Sequence, residues 1–316
     1  MHDHAPEHFP VMLPEVLEYL QPKDGEVCVD GTFGLGGYSR AILKAANCRV
    51  IGIDRDDHAV QYADRLSGDF GERFKLIRGC FGDVKALLAQ DGVGRVDGFV
   101  LDVGVSSVQL DDASRGFSFR FDGPLDMRMG SEGQSAADLV NNEDETRLAE
   151  IIYVYGEERH SRRVAKEIVR RRLEAPFETT LELAEAVRAV VPKSRDKIDP
   201  ATRTFQALRI AVNDELGELE RALEASVDIL KPGGRLVVVT FHSLEDRIVK
   251  RFLKEKSGSV SSVSRHMPVI EDAKDVAVFE IKTRKAVCAS DEELALNARS
   301  RSAKLRAAER LGGEVL

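Results

Sequence analysis

The stretch Val27-Cys28-Val29-Asp30-Gly31-Thr32-Phe33-Gly34-Leu35-Gly36-Gly37-Tyr38-Ser39 decides the fold. A short run of strand-forming residues stops at an acid. Gly31, Gly34, Gly36 and Gly37 crowd the next positions, and a helical pattern opens at Tyr38. Glycine permits positive φ and lets the backbone approach a ligand with no Cβ in the way. Strand, glycine loop and helix in this order make the nucleotide-binding end of a doubly wound α/β sheet.

The dinucleotide fingerprint G-x-G-x-x-G is absent. Begun at Gly34, it meets Ser39 where glycine is required; begun at Gly31, it meets Phe33. This argues against a nicotinamide-linked oxidoreductase. A ligand with a nucleoside but no pyrophosphate suits the loop better, and S-adenosylmethionine is such a ligand. Asp54 closes the next β-branched run. An acid about 20 residues past the loop is where a ribose diol finds its acceptor. Asp56 and Asp57 lie at the following helix start, where capping accounts for them. Phe81, after the third strand, can cover an adenine face, while Asp83 reads as the N-cap of the next helix. Asp102 ends the fourth strand, the tip that faces the reacting atom in such sheets.

Working outward, strands are expected at Val27–Asp30, Arg49–Asp54, Phe74–Arg78 and Val96–Asp102. Helices alternate with them at Tyr38–Ala46, His58–Leu66 and Val84–Gln90. This rhythm implies a parallel sheet with right-handed crossovers. Past a loop at Ser106 to Asp122 the periods become helical only: Ala136–Val140, Glu143–Tyr155, Ser161–Leu173, Thr180–Val190 and Thr202–Ser226. Strand character returns at Arg235–Thr240, launched by Lys231-Pro232-Gly233-Gly234. A helix follows at His242–Lys254, a serine-rich and mobile stretch at Ser257–Ser264, and a last strand at Val276–Lys282. The tail Asn297–Arg310 is expected to be helical or disordered. The domains expected are therefore a first part of the α/β domain at 1–112, an inserted helical, substrate-recognition domain at 113–215, and a second part at 216–316 with a basic tail.

The chain has 316 residues, 43% of them hydrophobic, enough for one large α/β domain and a smaller second one. No apolar run reaches the length of a bilayer span, and the first residues lack a signal-peptide pattern. Cys28, Cys48, Cys80 and Cys288 are scattered; Cys28 and Cys48 read as core residues, and a reducing, cytoplasmic setting follows. No His/Cys cluster suggests a metal. The net charge of −8 argues against indiscriminate attraction to polyanions. Local basic runs stand out: seven Lys or Arg against Glu167 alone between Arg159 and Arg172, and five against Glu309 alone between Arg299 and Arg310.

Longer motifs add a resemblance. They include Pro10-Val11-Met12-Leu13, Asp30-Gly31-Thr32-Phe33-Gly34, Ile53-Asp54-Arg55-Asp56, Leu101-Asp102-Val103-Gly104-Val105-Ser106-Ser107 and Gln109-Leu110-Asp111. Further on come Arg115-Gly116-Phe117-Ser118-Phe119, Asp122-Gly123-Pro124-Leu125-Asp126-Met127-Arg128-Met129, Tyr155-Gly156-Glu157-Glu158-Arg159, Ala201-Thr202-Arg203-Thr204-Phe205-Gln206 and Phe241-His242-Ser243-Leu244-Glu245-Asp246-Arg247. From about His8 to Arg310 the chain resembles the bacterial 16S rRNA cytosine-N4 methyltransferase family.

The resemblance implies a class I methyltransferase that uses S-adenosylmethionine to methylate the N4 amine of cytosine-1402 in the decoding region of 16S rRNA. The small ribosomal subunit is then the partner. Cofactor contacts carried over from the family fall on Gly36, Gly37, Tyr38, Asp54, Phe81, Asp102 and Gln109; the family commonly has His at the position of Tyr38. Catalytic candidates are Asp102, Ser106 and His242. Asp102 or Ser106 would orient the amine, and Phe117 or Phe119 would stack on the base. His242 stands either as a proton acceptor or as a helix-start residue, with Ser243 as N-cap and Asp246 at the capping-box position. Two regions are candidates to face RNA: the helix from Thr202 to Arg209, and the one carrying Arg159–Arg172. A non-catalytic RNA-binding assembly factor is the rival from another class; the set Asp30, Gly36, Asp54 and Asp102 argues against it.

Overall fold

The computed structural model describes residues 10–193, 198–258 and 277–312. Contacts divide the chain into two compact units: Met1–Gly104 with Leu216–Leu316, and Val105–Glu215. The first unit opens with α1 (Leu13–Leu20), β1 (Val27–Asp30), α2 (Gly37–Ala45), β2 (Arg49–Asp54) and α3 (Asp57–Phe70). It continues with β3 (Phe74–Arg78), α4 (Val84–Gln90) and β4 (Val96–Asp102). The four strands are parallel, as the alternating rhythm predicts. Asp56 caps α3 by accepting the His58 N–H at 3.0 Å. Asp83 stands at the N-cap of α4, yet its side chain makes no capping bond.

The second unit is helical: α5 (Ser107–Asp111), α6 (Ala136–Asn142), α7 (Glu145–Gly156), α8 (Ser161–Arg172), α9 (Thr180–Val190) and α10 (Thr202–Asn213). Leu139, Leu148, Ile152, Val164, Ile168, Leu183, Val187 and Leu208 fill its core. Capping boxes start two of its helices, Ser135 with Asp138 and Thr179 with Glu182. The contacts begin this unit at Val105, not at the 112/113 boundary expected, because Val105 and Leu110 pack against its core.

One long helix was expected from Thr202 to Ser226. Asp214, in the left-handed region at φ 49°, instead separates α10 from α11 (Glu215–Ile229). The first unit then resumes with β5 (Leu230–Thr240), α12 (Ser243–Lys256), β6 (Phe279–Ile281), β7 (Val287–Cys288), α13 (Asp291–Leu296) and β8 (Lys304–Arg310). The Lys231–Gly234 turn is absorbed into β5 as a shift of register against β4. Residues 259–264 of the serine-rich stretch and Val276 lie outside the described residues.

The sheet runs β3-β2-β1-β4-β5-β8-β6, with β7 also on β8. Side chains alternate across it with the strand period of two. Cys28, Val50, Val100, Val237 and Val239 face the core shared with α1, α2 and α3. Val29, Ile51, Ile53, Phe99, Leu101 and Val238 face α4, α11 and α12. Helices on both faces of a mainly parallel sheet make a doubly wound α/β architecture.

The tail corrects the sequence reading. It is neither a helix nor a disordered arm: after a short 3-10 turn at Ala298–Ser302 it forms β8, antiparallel to β5 and β6. Leu305, Ala307 and Ala308 are buried, while Arg306 and Lys304 reach Asp246 at 2.7 and 3.3 Å. Short apolar residues between paired charges leave little strand signal in the sequence. Among the described residues, no helix is long and apolar enough to cross a membrane.

Candidate active site

The parallel strands end along one edge of the sheet, and the glycine loop follows the first of them. Asp30 is fully buried at the tip of β1. Its carboxylate accepts from the Thr32 N–H at 3.3 Å and from the Ser39 N–H and hydroxyl at 3.2 and 2.7 Å. Burial nonetheless pushes its pKa up to about 6, against those hydrogen bonds. Asp30 therefore clasps the loop to the start of α2.

Phe33 explains two glycines. Its N–H bonds the Ile53 carbonyl at 3.0 Å, and its ring stacks on Phe74 at 5.2 Å. A Cβ on Gly36 or on Gly52 would come within 2.8 Å of that ring. Gly36 also holds φ at 77°, a conformation that costs other residues steric strain. Gly37 begins α2 against Pro10, and Tyr38 follows at its second position. Backbone N–H groups in a helix's first turn have no partner within the helix.

Asp54, at the end of β2, accepts the Gly34 N–H at 2.7 Å and the Asp56 N–H at 2.8 Å. Burial raises its pKa. The two N–H donors fix the carboxylate, and each oxygen keeps acceptor capacity for a diol. Phe81, half-buried after β3, lies beside Gly31: a Cβ there would be 3.5 Å from that of Phe81. A Cβ on Gly34 would meet nothing nearer than its own loop's Thr32 carbonyl at 3.9 Å, so Gly34 alone among the loop glycines is uncrowded.

Asp102 ends β4, and its N–H donates to the Thr32 hydroxyl at 2.7 Å. Its Oδ1 is sealed from solvent and, among the described residues, has no hydrogen-bond partner. Burial first, then the neighbouring Asp30, pushes its carboxyl up to about 8; the Tyr38 hydroxyl opposes this, while Glu245 and Glu293 add to it. Tyr38 is buried, with its hydroxyl bonded to the Val11 carbonyl. Burial and the nearby acids hold its phenol well above the usual tyrosine range.

His242 corrects the capping expectation. It is itself the N-cap of α12, and the acid at the third helical position is Glu245, not Asp246. Glu245 Oε2 accepts the Phe241 and His242 N–H groups at 2.7 and 3.1 Å. The imidazole Nε2 lies 2.9 Å from Glu245 Oε1, though not aligned as a hydrogen bond. Asp246 is occupied by Arg306 and Lys304.

Thus Gly36, Gly37, Tyr38, Asp54, Phe81, Asp102 and His242 belong to the first unit, at or just past the ends of β1 to β5. Ser106 and Gln109 belong to the second, where each ties the other: the Ser106 N–H donates to Gln109 Oε1 at 2.9 Å, and the Gln109 N–H to Ser106 Oγ at 3.2 Å. Phe117 is buried in that unit's core beneath Arg115. Phe119 is half-buried, edge-on to Phe205 at 4.8 Å, whereas Phe121 is 65% exposed. Sequence reasoning missed Thr32 and Glu293. Glu293 accepts from the Met12 N–H and the Ser300 hydroxyl; it lies in the stretch 283–296, to which the sequence reading gave no element.

Residues 5–311 match the MraW methylase family. The chain belongs to that family. The Rhodospirillum rubrum relative named "Ribosomal RNA small subunit methyltransferase H" is 60% identical over 306 residues, covering 96% of this chain and 94% of that one. Its namesake from Hyphomonas neptunium is 57% identical over 311 residues, covering 98% and 90%. Among solved structures, an rRNA methylase from Streptococcus thermophilus aligns over 95% of this chain and 94% of its own, at 11% identity and TM-score 0.40. For this MraW methylase family member, the strand order and not that likeness defines the fold. Its residues fit the family's methyl donor, since the oriented Asp54 carboxylate, the uncrowded Gly34 and a buried Asp102 oxygen without a partner among the described residues line one sheet edge.

Proposed function

We propose that this protein methylates the N4 amine of a cytosine in the decoding region of 16S rRNA, with S-adenosylmethionine as donor. The match of residues 5–311 to the MraW methylases carries this reading, and the relatives named for small-subunit rRNA supply the substrate class. The cofactor residues proposed are Gly36, Gly37 and Tyr38 through backbone N–H groups, Asp54 for the ribose, Phe81 against the adenine, and Asp102 with Gln109. The inserted helical unit serves substrate recognition, and such a substrate places the protein in the cytoplasm.

Bound at this edge, S-adenosylmethionine supplies an electrophilic sulfonium methyl. The protein must supply what cytosine lacks. Its amine lone pair is delocalised into the ring, so transfer needs the nitrogen held in line at about 3–3.5 Å and an acceptor for an amine proton. Asp102 is the group for that task, because a carboxyl raised to about 8 is a far stronger base than an ordinary one. Ser106, four residues on, is proposed to orient the amine. The imidazole of His242, 2.9 Å from Glu245, is the second candidate acceptor for that proton.

Tritium transfer from labelled S-adenosylmethionine to unmethylated small subunits and to deproteinised 16S rRNA tests the reading. Digestion should yield labelled N4-methylcytidine, and Asp102→Ala should abolish transfer even at saturating S-adenosylmethionine. Label in another nucleoside, or none from the wild type, would overturn it.

A further inference from the structure

The seven cations of Arg159–Arg172 are not equivalent. Arg170 pairs with Glu167 and Glu174 at 2.9 and 2.8 Å, and Arg171 with Glu167 at 2.7 Å. Arg172 donates to the Val140 carbonyl at 2.8 Å. The side chains of Arg159, Arg162, Arg163 and Lys166 are exposed and, among the described residues, have no ion-pair or hydrogen-bond partner. Their spacing is i, i+3, i+4, i+7, one face of α8 and the turn before it, opposite the buried Ser161, Val164, Ala165 and Ile168.

The turn between α7 and α8 brings a fifth cation to this face. A Cβ on Gly156 would lie 2.6 Å from the Arg203 carbonyl, so only glycine lets α10 approach so closely. Glu157 turns the chain in the left-handed region at φ 50°. Buried Glu158 accepts the His160 N–H at 2.8 Å and holds the Arg203 guanidinium only at 3.9 Å. The rest of α10 is spent inside the unit. Thr204 and Phe205 are buried, Gln206 donates to the Tyr155 carbonyl, and Arg209 forks onto Glu215 at 2.7 and 2.8 Å. The helix from Thr202 to Arg209 therefore gives RNA only its Arg203 end.

Arg162 and Arg163 lie in the first turn of α8 and Arg159 just before it, at the positive end of its macrodipole, where they disfavour the helix. Their use lies outside it. On a chain of net charge −8, four cations unpaired among the described residues, with Arg203 held only loosely by Glu158, select a polyanion by local charge. Tyr153, 62% exposed on α7, adds an aromatic face of the kind on which bases stack.

We propose that Arg159, Arg162, Arg163, Lys166 and Arg203 form the face of the helical unit that grips the phosphate backbone of the substrate RNA; this rests on the rRNA reading above. The test is binding of the full-length protein, with S-adenosylhomocysteine present, to small ribosomal subunits and to deproteinised 16S rRNA across a salt series. In the variant R159Q/R162Q/R163Q/K166Q, affinity should fall on the order of tenfold or more, and the log–log salt slope should shrink by about 0.7–0.9 for each phosphate no longer neutralised. S-adenosylhomocysteine affinity and the thermal midpoint should hold. R170Q, whose arginine is already ion-paired, should bind like wild type, and Arg162→Gln or Lys166→Gln alone gives the same slope readout should the fourfold variant misfold. Unchanged affinity and slope overturn the proposal, as does charge-dependent binding to phosphatidylserine vesicles with rRNA affinity intact. A wild type that neither binds nor methylates the RNA overturns the rRNA reading itself.

Discussion

The Tyr38 hydroxyl donates to the Val11 carbonyl and borders the Asp102 carboxyl, so one phenol joins the N-terminal segment to the tip of β4. Tyr38 thus has a structural partner of its own. Tyr38→Phe strands a buried carbonyl, a cost of about 1–3 kcal/mol. The thermal midpoint should drop by roughly 2–4 °C per kcal/mol. Because the hydroxyl holds Asp102's pKa down, its loss should also move the rising limb of the pH–rate profile to higher pH. Affinity for S-adenosylhomocysteine should change less than about threefold, since the proposed contact is a backbone N–H. A larger loss in calorimetry would assign the contact to the side chain.

Asp102 also makes stability depend on pH. Its carboxyl rises from 3.8 to about 8 on folding, so the folded state binds this proton more tightly than the unfolded chain does. The stabilisation is full below pH 3.8 and is lost as pH climbs toward 8. Asp30, raised to about 6, acts in the same direction over a narrower range. Asp102→Asn should flatten the fall in thermal midpoint between pH 4 and 8 and make the protein more stable than wild type at pH 8. Equal slopes for the two proteins in thermal melts would refute the buried, raised carboxyl.

Asp54→Asn keeps the shape but turns one acceptor oxygen into a donor, facing either the Gly34 or the Asp56 N–H. Losing charge-assisted bonds to a diol costs about 1.5–3 kcal/mol, a ten- to hundredfold weaker ligand. Titration calorimetry with S-adenosylhomocysteine should show that loss, and the Michaelis constant for the donor should rise more than kcat falls. Affinity within threefold of wild type would take the ribose role from Asp54.

What the sequence discloses follows the range of the interactions. The first four strands obey a local period and end in chemistry, so Asp30, Asp54 and Asp102 were readable at strand tips. Gly36 was readable as a ligand approach. Its crowding against Phe33, a residue bonded to β2, was not, because that contact is tertiary. His242 was readable as a helix start, but choosing Glu245 over Asp246 as its partner required knowing that Arg306 claims Asp246. Phe117 and Phe119 looked alike as stacking candidates; only packing showed Phe117 buried in the core. The basic run on α8 carried no mark of which cations were already paired.

The C-terminal strand gives the sharpest test of the fold. β8 pairs with β5 from Arg235↔Glu309 to Thr240↔Lys304 and separates it from β6. It also buries Leu305, Ala307 and Ala308, and the Arg310 guanidinium donates to the Val227 carbonyl at 2.9 Å. A chain ending at Ser302 would expose the long edge of β5 and leave Asp246 without Arg306 and Lys304. An unpaired apolar edge next to the site invites aggregation. The truncated protein should be insoluble or lack a cooperative thermal transition. A soluble, cooperatively folding chain ending at Ser302 would show that β8 is not needed to complete the sheet.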